Sequence, residues 1–158
     1  MTGTRQAVAD ATFEVEITGA SDLWRGHQEH LMKALIHAAS MEGVGGAVSV
    51  LLGDDERITV LNHDFRGKHG PTNVLSFPAA PLEDVPTGFL GDIALAAETI
   101  DREAQEQGKS FQAHADHLAV HGFLHLLGYD HESPGEAEEM EARERAILAE
   151  LGIADPYA

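Results

Sequence analysis

The stretch Val48-Ser49-Val50-Leu51-Leu52-Gly53-Asp54 joins a short apolar strand to the start of a helix. Asp54 has the short carboxylate of a helix N-cap, which accepts hydrogen bonds from the free amides of the first turn. Ile58, Leu61 and Phe65 follow at helical spacing and predict an amphipathic helix. Because a strand that runs directly into a helix favours parallel pairing, we expect a sheet with helices packed against it.

Outward from this unit, strands and helices alternate in part of the chain, and the final third is helical. Alternating apolar residues predict a strand at 12–18, and short apolar runs predict strands at 74–77 and 91–95. Helical spacing and caps, including the capping box Ser133-Pro134-Gly135-Glu136, predict helices at 27–41, 96–107, 110–127 and 133–151. The pattern predicts an α+β fold, a small four-stranded mixed sheet packed by about five helices.

The length of 158 residues suits one domain, 1–158, with no room for a second. No apolar run approaches the ~20 residues that span a bilayer. The N-terminus lacks the apolar core of a signal peptide, so we expect a cytoplasmic protein without a membrane partner. The absence of cysteine excludes disulfides and zinc–thiolate sites.

Acidic residues dominate the charge, since 27 Asp and Glu against 10 Lys and Arg give a formal net charge of −17. This charge repels polyanions at long range, so it disfavours a protein that clamps nucleic acid nonspecifically. In most acidic chains the charge only keeps the surface soluble. A specific function therefore needs a specific site.

Three histidines have the spacing of a metal site on a helix in the C-terminal half of the chain. Four residues advance a helix by about 400° and ~6 Å, so His121 and His125 project from one face. Gly128 ends the helix, and His131 then comes in from the following loop. One or two such histidines do not distinguish a metal site from a hydrogen-bonded core, whereas the third favours a metal. Three imidazoles with one position left for water or substrate are typical of a catalytic zinc.

The metal expected at this site is one zinc ion per chain, although nickel, cobalt and copper also accept nitrogen ligands. The histidine spacing equals that of the metzincin protease motif HExxHxxGxxH, in which the glutamate after the first histidine is the general base. Gly122 occupies that position here. Because glycine has no side chain to take a proton from water, the motif disfavours peptide hydrolysis without excluding it.

A local excess of positive charge, His63, Arg66, Lys68 and His69, interrupts the acidic chain. Cleavage of a phosphodiester needs a cation that holds the phosphate, and the planar fork of arginine suits this role. Arg66, at the junction of the predicted helix and loop, is the candidate. The alternative is a solvated loop, and the spacing does not decide between the two.

Four segments together resemble the YbeY family of bacterial metallo-endoribonucleases: HGFLHLLGYDH at 121–131, FRGKHGPTNVLSFP at 65–78, GDIAL at 91–95 and the terminal DPYA. The resemblance covers nearly the whole chain. It implies a single-strand-specific, zinc-dependent endoribonuclease that acts at the 3′ end of small-subunit rRNA and in ribosome quality control. It also implies a mixed sheet of four strands flanked by helices.

The resemblance assigns His121, His125 and His131 to the zinc ligands, and Arg66 to contact with RNA or phosphate. Asp92, in GDIAL, is a candidate catalytic residue that orients a histidine or a water. An aspartate at the start of a strand is otherwise often a local backbone cap.

Two further positions bear on the predicted site. His117 continues the helical stripe of His121 and His125, and we expect it to pack or to support a ligand from behind. Asn73 stands where the family commonly has aspartate. Since asparagine still accepts a hydrogen bond, we expect this change to adjust the site without abolishing it.

The partners implied by the resemblance are single-stranded RNA, especially rRNA, and the small ribosomal subunit with its basic ribosomal proteins. No role for DNA is expected. A net charge of −17 fits a protein that binds isolated RNA weakly and is directed by basic partners. Two other functions stay open: a zinc-dependent hydrolase of another substrate, such as a peptide, and a ribosome-assembly factor that the metal stabilises.

Overall fold

A computed structural model describes residues 13–19, 22–67, 72–79, 88–130 and 132–157, except the side chains of residues 65 and 66. Its elements confirm the predicted α+β class with four strands and five helices among these residues. A short 3-10 helix also precedes the first α-helix. In chain order the elements are β1 (Phe13–Thr18), the 3-10 helix (Asp22–Trp24), α1 (Gln28–Glu42), β2 (Gly46–Gly53), α2 (Asp55–Arg66), β3 (Val74–Pro78), β4 (Phe89–Ala96), α3 (Ala97–Gln107), α4 (Phe111–Leu126) and α5 (Pro134–Glu150).

The four strands form one mixed sheet in the order β1-β2-β4-β3. Strand β2 pairs in parallel with both β1 and β4, whereas β3 pairs antiparallel with β4 at one edge. Parallel neighbours need a long connection between them. Helix α1 lies in the connection from β1 to β2. The predicted strand-to-helix unit is β2 followed by α2, and β2 pairs in parallel with β4, as this unit predicts.

The two faces of the sheet meet different helices, because successive residues of a strand point to opposite sides. Val50 and Ile93 lie on the face that forms the main core with α1, α4 and α5. Leu75 and Ala94 lie on the other face and pack with Ile58 of α2 in a smaller core. A strand residue therefore faces either the α4 side or the α2 side, according to its place in the alternation.

Helix α4 approaches the sheet most closely at Gly122. A Cβ atom there would lie 2.9 Å from Oγ of Ser76, 3.1 Å from Cγ2 of Ile93 and 3.2 Å from Cγ2 of Val74. The Ser76 hydroxyl also donates a 2.9 Å hydrogen bond to the Gly122 carbonyl. Packing therefore favours glycine at this position, since a larger residue would crowd the side chains of the sheet.

Three helices begin at the residues predicted as N-caps. Asp54, Ser110 and Ser133 each accept a hydrogen bond from the amide three residues further on, at 2.8, 3.0 and 3.2 Å. These bonds satisfy amides that the helix itself leaves free. Among the helices of the described residues, none combines the length and the hydropathy that a bilayer crossing requires.

A buried carboxylate, Asp116, lies where α4 packs against α1. Gln112 donates a 2.8 Å hydrogen bond to Asp116 and accepts one of 2.6 Å from Nδ1 of His27. Burial raises the pKa of the Asp116 carboxyl to about 6, although the bond from Gln112 and the charges of His30 and His27 lower it. The folded protein therefore holds this proton more tightly than the unfolded chain does.

The substitution Asp116→Asn is expected to stabilise the protein at pH 7.5 by about 2 kcal/mol. An acid whose pKa is raised by folding favours the folded state below its unfolded value of 3.8, and this contribution disappears as the pH rises through about 6. The gain should therefore be small at pH 4 and full above pH 7. Urea unfolding of both proteins at several pH values measures it, and a gain that is independent of pH would contradict the assignment.

Candidate functional site

Helix α4 presents His121 and His125 to one cavity. The two rings lie with their centroids 4.8 Å apart and their planes at 81°. The cavity has a volume of about 660 Å³ and lies between α4, β3 and the segment that follows α4. Its described lining is Asn73, Val74, Ser76, Pro78, His121, His125, Gly128, Tyr129, Asp130 and Glu132.

The third predicted ligand, His131, lies outside the described residues. Its neighbours in sequence, Asp130 and Glu132, both line the histidine cavity. Among the residues that the structure describes, no three His, Cys, Asp or Glu side chains form a cluster able to hold a metal. The three-histidine site therefore stays a prediction, of which the structure brings two members together.

A buried carboxylate lies behind His121. Glu144 of α5 is 0% exposed, and its Oε2 accepts a 2.7 Å hydrogen bond from Nδ1 of His121. Its Oε1 accepts a 2.9 Å bond from Nε2 of His117 and a bond from the Tyr157 hydroxyl. Two helices and the C-terminal segment thus meet at one carboxylate.

The charge of Glu144 is maintained by these donors. Burial by itself raises the pKa of this carboxyl, but hydrogen bonds from His117, His121 and Tyr157, with the charge of His121, outweigh it and lower the pKa to about 2. A carboxylate at this position stays ionised at neutral pH. It can only accept hydrogen bonds, so the nitrogens that face it must carry protons.

These contacts fit a metal site. Histidines that bind metals almost always donate their other ring N–H to a carboxylate, a carbonyl or a water. His121 does so to Glu144, which leaves the lone pair on Nε2. Two imidazoles one helical turn apart line the same cavity, and imidazole nitrogens are ligands that zinc prefers.

A second carboxylate, Glu103 of α3, contacts Asn73, which lines the histidine cavity, and His114 of α4. Its Oε1 accepts a 2.8 Å hydrogen bond from Nε2 of His114 and a 3.0 Å bond from the Asn73 amide. Burial lowers the pKa of His114, and the bond to Glu103 opposes this shift. Asn73, which lines the histidine cavity, is therefore held by an acceptor that suits an amide better than a second carboxylate.

The substitution Asn73→Asp is expected to destabilise the protein at pH 7.5 by about 1 to 3 kcal/mol. The new carboxylate would face Glu103 at the distance of the present 3.0 Å hydrogen bond, and the repulsion should fade as the pH falls below 5. Thermal unfolding at pH 4.5 and 7.5 measures this difference. An Asn73→Asp protein as stable as the parent at pH 7.5 would contradict the described contact.

The two remaining predicted residues are not brought to the cavity by the described contacts. Asp92 pairs with Phe77 across β4 and β3 and lines a separate apolar cavity of about 360 Å³ with Leu51 and Leu61, on the α2 side of the sheet. This position does not support a role in orienting the α4 histidines. Arg66 ends α2, but its side chain lies outside the described part of the chain.

The sequence analysis missed Glu144 and Tyr157. A signal for Glu144 was present, because it lies on the same helical stripe as Met140, Ile147 and Leu148, all of which are buried. A charged residue in an apolar stripe needs a partner. The expectation that His117 packs or supports a ligand agrees with its bond to Glu144.

Comparisons with known proteins give one consistent result. The family model described as endoribonuclease YbeY matches residues 12–152. An endoribonuclease YbeY of Rhodopseudomonas palustris (strain ATCC BAA-98 / CGA009) is 53% identical over 152 residues, covering 90% of this chain and 80% of that protein. One of Chelativorans sp. (strain BNC1) is 54% identical over 143 residues, covering 88% and 86%.

A solved structure agrees with the fold. The solution structure of TM1509 from Thermotoga maritima is 29% identical, with a TM-score of 0.58, and the match covers 90% of this chain and 97% of that one. The family model spans most of the chain, and the relatives share about half of its residues. The resemblance carried by the histidine and VLSFP segments is thus confirmed, and the chain belongs to the endoribonuclease YbeY family, whose members are hydrolytic endonucleases.

Proposed function

We propose that this protein is a zinc-dependent endoribonuclease that cleaves single-stranded RNA in rRNA processing, at the 3′ end of small-subunit rRNA, and in ribosome quality control. Membership of the endoribonuclease YbeY family supports the reaction class. One structural observation supports the metal. His121 and His125 line the same cavity, and His121 donates Nδ1–H to the buried Glu144 carboxylate.

The residues that would hold the ion are His121 and His125 of α4, with His131 as the third. An ion bound there supplies Lewis-acid chemistry, which stabilises charge on the scissile phosphate and makes water or a 2′-hydroxyl a better nucleophile. The protein supplies the orientation of the imidazoles. The Glu144 carboxylate, fully buried, holds the His121 ring from the side away from the cavity.

Recognition of the phosphate needs positive charge that the described lining does not provide. Asp130 and Glu132 line the cavity, and no Lys or Arg is among its described lining residues. The ion would therefore neutralise the phosphate together with Arg66, the residue that the family resemblance assigns to this contact. The carboxylates of Asp130 and Glu132 repel RNA that is not held in this way, which favours delivery of the substrate by a basic partner such as the small ribosomal subunit.

Peptide hydrolysis is the less favoured alternative, and the packing of α4 counts against it. The position of the metzincin base is Gly122, where an added Cβ would lie 2.9 Å from Oγ of Ser76. This position faces the sheet and leaves no space for a glutamate side chain. A protease would need another general base.

The proposed function is tested with purified full-length protein on single-stranded RNA, on the same RNA annealed to its complement, and on casein. Cleavage is expected only of the single strand. It should be lost with a chelator and restored by Zn²⁺ in preference to Mg²⁺. Mass spectrometry of the product ends then identifies the nucleophile, since attack by the 2′-hydroxyl leaves a 2′,3′-cyclic phosphate.

Two outcomes would contradict the proposal. Cleavage that continues in the chelator would remove the metal from the mechanism. Binding of RNA or ribosomal subunits without any metal-dependent cleavage would favour the assembly factor that a metal stabilises.

A further inference from the structure

The Glu144 carboxylate is held from two sides, which leaves it one orientation. Its Oε2 accepts from Nδ1 of His121 at 2.7 Å, and its Oε1 accepts from Nε2 of His117 at 2.9 Å and from the Tyr157 hydroxyl at 2.5 Å. The side chain is 0% exposed. The carboxylate therefore cannot rotate without leaving a buried donor unpaired, which is unfavourable.

This orientation determines the tautomer of His121. A neutral imidazole carries one proton, and the free ring populates both nitrogens. A carboxylate 2.7 Å from Nδ1 selects the Nδ1–H form. The lone pair is then on Nε2, which is the ring atom that can bind a metal in this tautomer.

We propose that Glu144 is a positioning residue, which holds His121 in the tautomer that offers Nε2 to the metal, and that Tyr157 holds Glu144 in turn. The inference rests on the metal site of the proposed function. Glu144 itself does not touch the substrate or the ion. Glu144 instead sets the fraction of protein molecules in which His121 is in the Nδ1–H tautomer and can bind a metal through Nε2.

Contacts of Asp155 and Arg145 hold the C-terminal segment so that the Tyr157 hydroxyl reaches Glu144. The Asp155 carboxylate accepts the backbone amide of Tyr157 at 2.8 Å and forms a 3.2 Å ion pair with Arg145 of α5. The Arg145 guanidinium also lies over the Tyr157 ring, 5.5 Å from its centroid. The segment thus folds back onto α5 and presents the hydroxyl to the carboxylate.

The two ring nitrogens of His117 differ, because Nε2 donates to the Glu144 carboxylate and Nδ1 does not. Nδ1 of His117 is buried and has no hydrogen-bond partner within the described residues. Leaving a buried polar atom unpaired costs about 1 to 3 kcal/mol. The bond from Nε2 of His117 to Glu144 orients this ring and at the same time holds Oε1 of the carboxylate.

The experiment compares the wild-type protein with Glu144→Gln and Tyr157→Phe. Zn²⁺ affinity is measured by competition with a chromophoric chelator, and the His121 tautomer is read from its ring ¹⁵N shifts in metal-free protein. An amide offers one oxygen where the carboxylate offers two, so Glu144→Gln should weaken Zn²⁺ binding about 10- to 100-fold and shift His121 toward the Nε2–H form. Tyr157→Phe removes one of three donors and should weaken binding about fivefold.

Glu150→Gln is the matched control, because Glu150 of α5 also bonds a histidine, His37 of α1, at 3.0 Å, and neither residue is among the described lining of the histidine cavity. It should leave Zn²⁺ affinity and the His121 tautomer at their wild-type values. Wild-type affinity and tautomer in both Glu144→Gln and Tyr157→Phe would overturn the inference. Should Glu144→Gln fail to fold, Tyr157→Phe decides, because Tyr157 is 38% exposed and lies at the surface.

Failure of the proposed function would look different. A wild-type protein that binds no Zn²⁺ would remove the metal site, yet the His121 tautomer in the metal-free protein would still report whether Glu144 positions the ring. A wild-type protein that binds Zn²⁺ while neither variant differs from it would leave the metal site intact and contradict the positioning role alone.

Discussion

The substitution His121→Ala is expected to lower the rate of metal-dependent RNA cleavage by about 10³-fold or more. It removes one of the imidazoles that line the cavity and takes one of the three donors from the buried Glu144 carboxylate. The substitution should therefore also lower the melting temperature. Initial rates on a fluorescent single-stranded RNA at saturating Zn²⁺ measure the first effect, and differential scanning calorimetry measures the second.

Two variants separate chemistry from stability. His125→Ala removes a proposed ligand but retains the bonds of Glu144 to His117, His121 and Tyr157, so it should lose cleavage with a smaller loss of stability. His37→Ala removes a histidine of α1 that pairs with Glu150 at 3.0 Å, and it should cleave at the wild-type rate. Wild-type cleavage by both His121→Ala and His125→Ala would refute the proposed site.

The substitution Gly122→Glu, which restores the metzincin pattern, is expected to lower the free energy of unfolding by more than about 3 kcal/mol. The new side chain would start 2.9 Å from Oγ of Ser76 and 3.1 Å from Cγ2 of Ile93, and it would bring a carboxylate against the sheet. We expect no cleavage of casein by this variant. Gly122→Ala should destabilise by about 1 to 2 kcal/mol, because the clash exceeds the gain of about 1 kcal/mol in helix propensity.

Gly135 of α5 provides the matched control. A Cβ atom there would meet nothing within 4 Å, so Gly135→Ala should stabilise the protein by about 0.5 to 1 kcal/mol. Urea unfolding followed by circular dichroism compares the three variants. A stable Gly122→Glu protein would show that α4 tolerates a side chain at its contact with the sheet.

The order of strands and helices was predictable because each element carries its own local signal. The caps Asp54, Ser110 and Ser133 define helix starts through hydrogen bonds to amides three residues away, and such contacts can be recognised in sequence. The 3-10 helix at Asp22–Trp24 was not predicted. Its stability comes from distant contacts: Trp24 is fully buried and its indole N–H donates to the Gly53 carbonyl at 2.9 Å.

The face taken by Asp92 shows a second limit. Alternation places Asp92 on the side of Ala94 and opposite to Ile93. Both faces of β4 are apolar and covered, so the sequence pattern does not indicate which one meets the histidine helix. The packing of α2 on one face and α4 on the other settles the question.

The site itself was predictable only where its residues are close in the chain. His121 and His125 share a face because four residues make one helical turn, and this relation is visible in the sequence. Glu144 is 23 residues from His121, and Tyr157 reaches it only because the C-terminal segment folds back onto α5. Contacts of this kind depend on how the helices dock, which a local pattern does not contain.

The hydrogen bond between His121 of α4 and Glu144 of α5 also bears on how the protein folds during its synthesis. A nascent chain leaves the ribosome N-terminus first, so the helix that bears the histidines emerges before the one that bears Glu144. Until α5 docks, the His121–Glu144 contact cannot form. A nascent chain that is still close to ribosomal RNA therefore lacks the carboxylate that orients His121.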